Sequence, residues 1–360
     1  MSDRVLVIAE AGVNHNGSLL LAGRLIEAAA AAGADVVKFQ TFKAEKVVAK
    51  NTPKAAYQSA ATGTAEDQLA MIRQLELSDE DFRGLAAQAE GLGIEFLSTP
   101  FDEQSAEFLV GDIGVQRMKI PSGEITNGPL ILAVARSGLP IILSTGMANL
   151  EEIEEALGII AFGLDAPPGE VPSRKAFQTA FEAAMARGDL ARLVTLLHCT
   201  TEYPAPFEDI HLRAMDAMRE RFALPVGYSD HTVGIAISLA AAARGGAVLE
   251  KHFTLDRSLP GPDHAASLEP SELGAMVSGV RAVEAGLGEA RKVCTLSEEK
   301  NLPIARRSLV AARPIAAGET LTADCMTAKR PGGGVSPMRY WDLLGTPARR
   351  AYVADEALDQ

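Results

Sequence analysis

Residues 226–263 read VGYSDHTVGIAISLAAAARGGAVLEKHFTLDRSLPGPD and hold two polar clusters, Ser229-Asp230-His231 and Glu250-Lys251-His252. Each follows a short apolar run, at 225–228 and at 248–249, and the segment between them, 235–243, is alanine-rich with the spacing of a buried helix. That pattern predicts strand, helix, strand, with a histidine at the carboxyl end of each strand. In a parallel α/β barrel this end carries the chemistry. Either histidine alone would read as structural. Two imidazoles on adjacent strand ends, both beside carboxylates, instead make half of a metal site that water and substrate complete.

The alternation extends back to the start of the chain. Strands are expected at 5–10, 36–40, 95–98, 117–120, 140–143 and 193–199, followed by the two above. Helices are expected at 19–32, 78–91, 103–110, around 129–136, from Asn149 to about 160, and at 207–221, 235–243 and 271–287. Ser78 with Asp81 forms a near capping box, and Asn149 is a good N-cap. Eight strands with eight intervening helices predict an α/β fold, a (β/α)8 TIM barrel. Two stretches fall outside the count. Residues 42–77 are polar and mixed and read as a loop or lid, and 167–190 reads as an insertion, largely helical after Ser173.

After Gly288 the character changes. Residues 291–301 are polar and uncapped, within a linker at 289–304; residues 305–360 carry short β-branched runs, the turn Ala317-Gly318-Glu319 and the cluster RPGGG from Arg330. The expected organisation is a barrel at 1–288, the linker, and a small mostly-β domain at 305–360. A core of that size is small for independent stability, so docking is expected.

Composition narrows the function. The chain has 360 residues, 47% hydrophobic and 22% charged, with 34 basic against 47 acidic residues and a net charge of −13. That balance argues against nucleic acid or an anionic membrane as partner. A phosphorylated substrate needs only a local basic pocket and is not excluded. Three scattered cysteines without a CxxC fit a reduced, cytoplasmic setting, and the first residues show no signal-peptide pattern. No apolar run approaches the ~20 residues of a membrane span.

Polar residues occupy every expected strand end: Glu10, Lys38 with Gln40, Ser98-Thr99, Lys119 running into Ser122 and Glu124, Ser144, and His198 to Tyr203. Two lysines on neighbouring strands, with hydroxyls from Ser122, Ser144 and Ser229, have the makings of a phosphate pocket: charge plus several short donors. A lone inward lysine would leave open a Schiff-base aldolase.

The strings AEAGVNHNGS (9–18), GADVVKFQ (33–40), STPFD (98–102), KIPSGEITN (119–127), HCTTEYPAPFED (198–209), GYSDHTVGI (227–235) and GPDHAASLEP (261–270) resemble those of the sialic acid synthase (NeuB) family. ARRSLVAARPIAAGE (305–319) and KRPGGGVSP (329–337) resemble its C-terminal SAF domain, which is antifreeze-like. The resemblance implies condensation of phosphoenolpyruvate with an open-chain N-acylated hexosamine to a nine-carbon 2-keto acid, with release of phosphate. By the family pattern Lys38, Thr99, Lys119, Ser122, Ser144, Thr201 and Ser229 would hold phosphoenolpyruvate. Gln40, Glu124, Tyr203 and Asp263 would contact the sugar, and Glu10 would handle protons. Position 201 varies among relatives between Thr and Asn. His231 and His252 would hold a divalent ion that polarises the aldehyde as a Lewis acid and carries the attacking water. Imidazole favours Mn2+ or Co2+ over Mg2+. The resemblance further implies a domain-swapped homodimer in which Arg330 reaches the partner's sugar.

The acceptor stays open at this point. N-acetylmannosamine would give N-acetylneuraminate, and 2,4-diacetamido-2,4,6-trideoxymannose would give legionaminate; the isomer giving pseudaminate fits 198–209 less well. A metal-dependent barrel aldolase using pyruvate would release no phosphate. A glycan-binding protein on a degenerate barrel would not fill every catalytic position with a competent residue.

Overall fold

A computed structural model describes residues 4–55, 58–59, 67–167 and 169–359. It divides into two compact units, Met1–Gly288 and Glu289–Gln360. Among the described residues no helix is long and apolar enough to cross a membrane.

The first unit is built on eight parallel strands: β1 (Leu6–Gly12), β2 (Val36–Thr41), β3 (Glu95–Pro100), β4 (Met118–Ile120), β5 (Ile141–Ser144), β6 (Val194–Cys199), β7 (Val226–Asp230) and β8 (Val248–His252). They pair in the order β3-β2-β1-β8-β7-β6-β5-β4. The ring is nearly closed. β3 and β4 lie side by side with no ladder between them among the described residues. Near their amino ends Arg117 donates two hydrogen bonds, 2.7 and 2.9 Å long, to the Glu95 carboxylate.

The expected strands all form, most of them extended by a residue or two at the carboxyl end. The capping signals operate as read. Ser78 and Asp81, and likewise Asn149 and Glu152, exchange side-chain and backbone bonds at the starts of helices Asp79–Gly91 and Leu150–Asp165. These reciprocal bonds satisfy amide donors that the first helical turn leaves unpaired. The helices bury their apolar stripes against the outer face of the strands in one continuous core. The inserted helix Arg174–Arg187 packs on Leu150–Asp165 through the ring pair Phe162–Phe177, whose centroids are 5.2 Å apart.

Three expectations need correction. Residues 207–221 are not one helix. A 3-10 turn, Phe207–Asp209, precedes the helix Ala214–Phe222, and between them His198 Nε2 bonds the Ile210 carbonyl at 2.6 Å, while His211 takes a φ of 45°. The stretch 42–77 is not simply a polar loop. Its described part contains helices Ala44–Val47 and Gln68–Arg73 and buries Phe42, Ala44, Val48, Leu69 and Leu75 in two small apolar clusters. The notional linker is not featureless either. Helix Leu296–Glu299 lies within it and helix Leu302–Ala305 crosses its end, and Thr295 and Glu298 form a capping box where none was expected.

The second unit has a two-stranded antiparallel sheet, β9 (Ser308–Ala311) with β10 (Met326–Lys329), supplemented by isolated bridges such as Ile315 with Tyr352. Its core is ten residues around Leu309, Leu321 and Leu358. Arg330 follows β10 and is exposed.

Candidate active site

Alternation along the strands stacks side chains in layers inside the barrel. The lower layer is apolar: Ile8, Val36, Leu97, Ile142, Leu197 and Val248. One pleat further along, the same strands supply Glu10, Lys38, Thr99, Ser144, Cys199 and Glu250, joined by Lys119 from β4 and Ser229 from β7. His231 and His252 come one pleat later, near the mouth. Gly227 lets the layers close, because a Cβ there would stand 2.2 Å from the Val248 carbonyl oxygen.

The residues between these point outward. Asp230 and Lys251, which the sequence presents next to the histidines, form a buried ion pair of 3.0 Å. Asp230 also accepts bonds from Thr232 and from Ser238 of the next helix, so the pair staples β7 to β8.

Above the apolar layer opens a cavity of about 360 Å3. Every site residue expected from the sequence lines it except Glu124 and Arg330. Glu124 sits in the 3-10 turn Ser122–Glu124, where its carboxylate accepts a 2.7 Å bond from Asn127. Arg330 belongs to the second unit. The lining also includes Glu250 and Cys199 on the floor and a side made of Val13, Phe42, Val47, Val48, Met71, Ile72, Leu75 and Phe101, with Gln58 and Gln68 among them. For Glu250 the signal was available, since it shares the inward face of β8 with His252.

The floor is a charge network. Lys38 Nζ lies 2.8 Å from Glu10 Oε2, 3.0 Å from Thr99 Oγ1 and 3.5 Å from Glu250 Oε2. Lys119 Nζ donates to Ser144 Oγ and lies 3.6 Å from Glu250 Oε1. Ser229 donates to the same carboxylate at 2.9 Å. Burial alone would raise the pKa of Glu250, but Lys119, Lys38 and the Ser229 hydroxyl outweigh it and hold the value at about 2. Glu250 therefore stays ionised and fixes both ammonium groups. Glu10 has one close cation; burial dominates, and its pKa rises to about 7. Burial also pushes Lys119 down, whereas Glu10 and Glu250 overcome it at Lys38 and push that lysine up.

Beside the lysines, Ser122 Oγ accepts from Gly146 N at 3.0 Å and lies 3.1 Å from Cys199 Sγ. Thr201 Oγ1 is buried and finds no hydrogen-bond partner among the described residues. A Cβ at Gly146 would stand 2.4 Å from Thr201 Oγ1 and 2.8 Å from Ser122 Oγ, so the glycine leaves room for several short donors to converge.

At the mouth, the rings of His231 and His252 are 5.7 Å apart, with Tyr203 against both at 4.2 and 5.6 Å. His231 Nδ1 donates to the Thr200 carbonyl at 2.6 Å, so Nε2 carries the lone pair; it lies 3.4 Å from Ser229 Oγ, whose proton goes to Glu250. The Nδ1 of His252 is buried and has no hydrogen-bond partner among the described residues. Burial lowers the pKa of His231 to about 4 and, together with His231, takes His252 well below its usual value. Two neutral imidazoles, each keeping a lone pair on one nitrogen, are the ligand form a divalent ion requires. Among the described residues no group of three His, Cys, Asp or Glu is arranged for a metal. The residues fit an ion held by two imidazoles, with substrate and water oxygens completing its shell. Asp263, also in the lining, is pushed up to about 6 by burial.

Comparison with known proteins agrees with this geometry. The family model described as NeuB family matches residues 25–292, and the SAF domain model matches 306–360. The chain belongs to the NeuB family. It is 47% identical over 355 residues to the N,N'-diacetyllegionaminic acid synthase of Campylobacter jejuni subsp. jejuni serotype O:2, covering 99% of both chains. The N,N'-diacetyllegionaminic acid synthase of Legionella pneumophila subsp. pneumophila is 43% identical over 342 residues, covering 94% of this chain and 89% of the relative. Among solved structures, the N-acetylneuraminic acid (sialic acid) synthetase from Leptospira borgpetersenii serovar Hardjo-bovis, in complex with citrate, is 33% identical. It superposes with a TM-score of 0.68 over 83% of this chain and 90% of that one.

Proposed function

We propose that this NeuB-family enzyme is a nonulosonic acid synthase that joins phosphoenolpyruvate to the aldehyde of 2,4-diacetamido-2,4,6-trideoxymannose and forms legionaminate. The reading rests on the buried floor, where two ammonium groups and the hydroxyls of Thr99, Ser144 and Ser229 face one cavity. Such a floor suits the phosphate and carboxylate of a small dianionic or trianionic substrate. The choice of acceptor rests on the two diacetyllegionaminic acid synthases among the relatives.

In this reaction the enol-phosphate methylene carbon forms the new C–C bond with the aldehyde carbon, whose oxygen takes up a proton. Water adds to the former enol carbon, and collapse of that tetrahedral centre breaks its C–O bond and releases phosphate. Lys38 and Lys119 hold the phosphate and carboxylate, and Glu250 keeps both lysines charged and in place. Glu10, poised near pH 7 beside Gln40, exchanges the proton. A divalent ion on His231 and His252, Mn2+ in preference to Mg2+, would supply Lewis-acid polarisation of the aldehyde. Tyr203, Gln40 and Asp263 orient the sugar.

The exposed apolar side chains Met147, Phe207 and Val233, following β5, β6 and β7, favour coverage of the mouth by a partner's C-terminal unit in a swapped homodimer. Three free cysteines, two of them buried, accord with the cytoplasm. The test is phosphate release with phosphoenolpyruvate and each candidate hexosamine, followed by the mass of the product. Phosphate release only with N-acetylmannosamine would shift the product to N-acetylneuraminate; none with any hexosamine would overturn the reading.

A further inference from the structure

The cavity is two-sided. Its floor and the β6–β8 side are polar. The opposite side is a largely apolar wall contributed mostly by the segment between β2 and β3, with Phe42, Val47, Val48, Met71 and Ile72 facing Phe101 at the end of β3, and with Gln58 and Gln68 as its polar members. The wall is built to stay in place. Phe42 and Phe101 meet edge to face with centroids 6.1 Å apart. Lys43 pairs with Asp79 at 3.0 Å, Ala44 N donates to Glu76 at 3.0 Å, and Arg73 reaches Glu45 at 2.9 Å. These bonds tie both short helices to the rim. Val48 and Met71 are buried at 8% and 7% exposure although they border a cavity meant for a sugar.

A sugar hydroxyl laid against Val48 and Met71, away from the amides of Gln58 and Gln68, loses its water and gains no partner from those two side chains. A methyl group in the same place is stabilised by leaving water. We propose that this wall selects acceptors whose distal carbons carry a methyl and an acylamino group instead of hydroxyls, and that Val48 and Met71 are specificity-determining residues. The inference rests on the proposed condensation and deepens it by assigning the choice of acceptor to a part of the fold that contributes nothing to the phosphate floor.

The experiment compares kcat/KM for phosphate release with 2,4-diacetamido-2,4,6-trideoxymannose and with N-acetylmannosamine, in the wild type and in Val48→Thr and Met71→Gln. Both substitutions keep size and add polarity. The ratio for the two sugars is taken within one preparation, so partial unfolding cancels from it. The wild type should favour the deoxygenated sugar by up to about 100-fold, the range open to an apolar pocket facing an added hydroxyl. Each variant should lower that ratio about tenfold, through the deoxygenated sugar, with the KM for phosphoenolpyruvate unchanged. A ratio that stays fixed while both sugars slow together would make the wall merely structural and overturn the inference alone. Phosphate release with neither sugar in the wild type would overturn the proposed function as well.

Discussion

The ammonium of Lys38 lies 2.8 Å from Oε2 of Glu10, the two residues being register partners on β1 and β2, with both side chains buried. Even so close a cation does not offset the loss of water around Glu10, whose pKa rises from 4.5 to about 7. Folding thus favours proton uptake by Glu10. The stability this contributes is complete below about pH 4.5 and is lost as pH rises through about 7. Glu10→Gln keeps the neutral shape at every pH. Thermal melts should show wild type and variant nearly alike at pH 5, with the variant gaining toward pH 8 by at most on the order of 3 kcal/mol. Turnover by Glu10→Gln should fall roughly 100- to 10,000-fold, as loss of a proton-transfer group does. A melting difference that does not change with pH would mean Glu10 is ionised throughout.

Lys119 and Lys38 are the cations of the floor, and removing either should act on one substrate. Lys119→Ala and Lys38→Ala should each raise the KM for phosphoenolpyruvate about ten- to a hundredfold, the loss of one charge-assisted contact. The KM for the hexosamine should move far less. Lys119→Met, which restores the apolar stem, should weaken phosphoenolpyruvate equally, because the ammonium matters and not the packing. If the sugar's KM alone rose, the two subsites would be reversed.

His231 and His252 test the ion. Treatment with EDTA should abolish turnover, and Mn2+ or Co2+ should restore more of it than Mg2+, because imidazole is a poor partner for the hardest cation. His231→Ala and His252→Ala should each lose most activity while remaining folded, with His231→Ala melting lower because it also gives up the Thr200 hydrogen bond and the contact with Tyr203. Full turnover in EDTA without added cation would remove the ion from the account.

The barrel was legible because strand alternation and strand-end polarity survive in short segments. Ile8 and Glu10, Val36 and Lys38, and Val248 and Glu250 each display the step from apolar layer to polar floor. What sequence could not convey was direction once the chain left a strand. Glu124 follows β4 by a few residues, yet a turn and the Asn127 amide hold it off the cavity. The largely apolar wall is not legible in the sequence because its two described helices have four and six residues, too few to show a period. The break at 210–213 was hidden because the carbonyl of Ile210 is claimed by a histidine from β6, a contact between residues 12 apart.

Arg330 gives the most demanding test, because it concerns two chains at once. It is exposed on the turn after β10, in a unit whose buried core is ten residues, and a glycine run follows it. Its planar fork suits the carbonyl of an N-acyl group better than a hydroxyl. Arg330 is expected to act on the sugar held in the partner's barrel. Truncation near Lys300 should leave a folded barrel that binds phosphoenolpyruvate and turns over poorly. Mixing Arg330→Ala chains with Lys119→Ala chains under refolding conditions should restore part of the activity, because one site of each heterodimer keeps both residues. With phosphoenolpyruvate held well below the raised KM of Lys119→Ala, each homodimer should turn over poorly. Heterodimers that form without any rescue would place the arginine in its own chain's site, and the swapped arrangement would fall with that result.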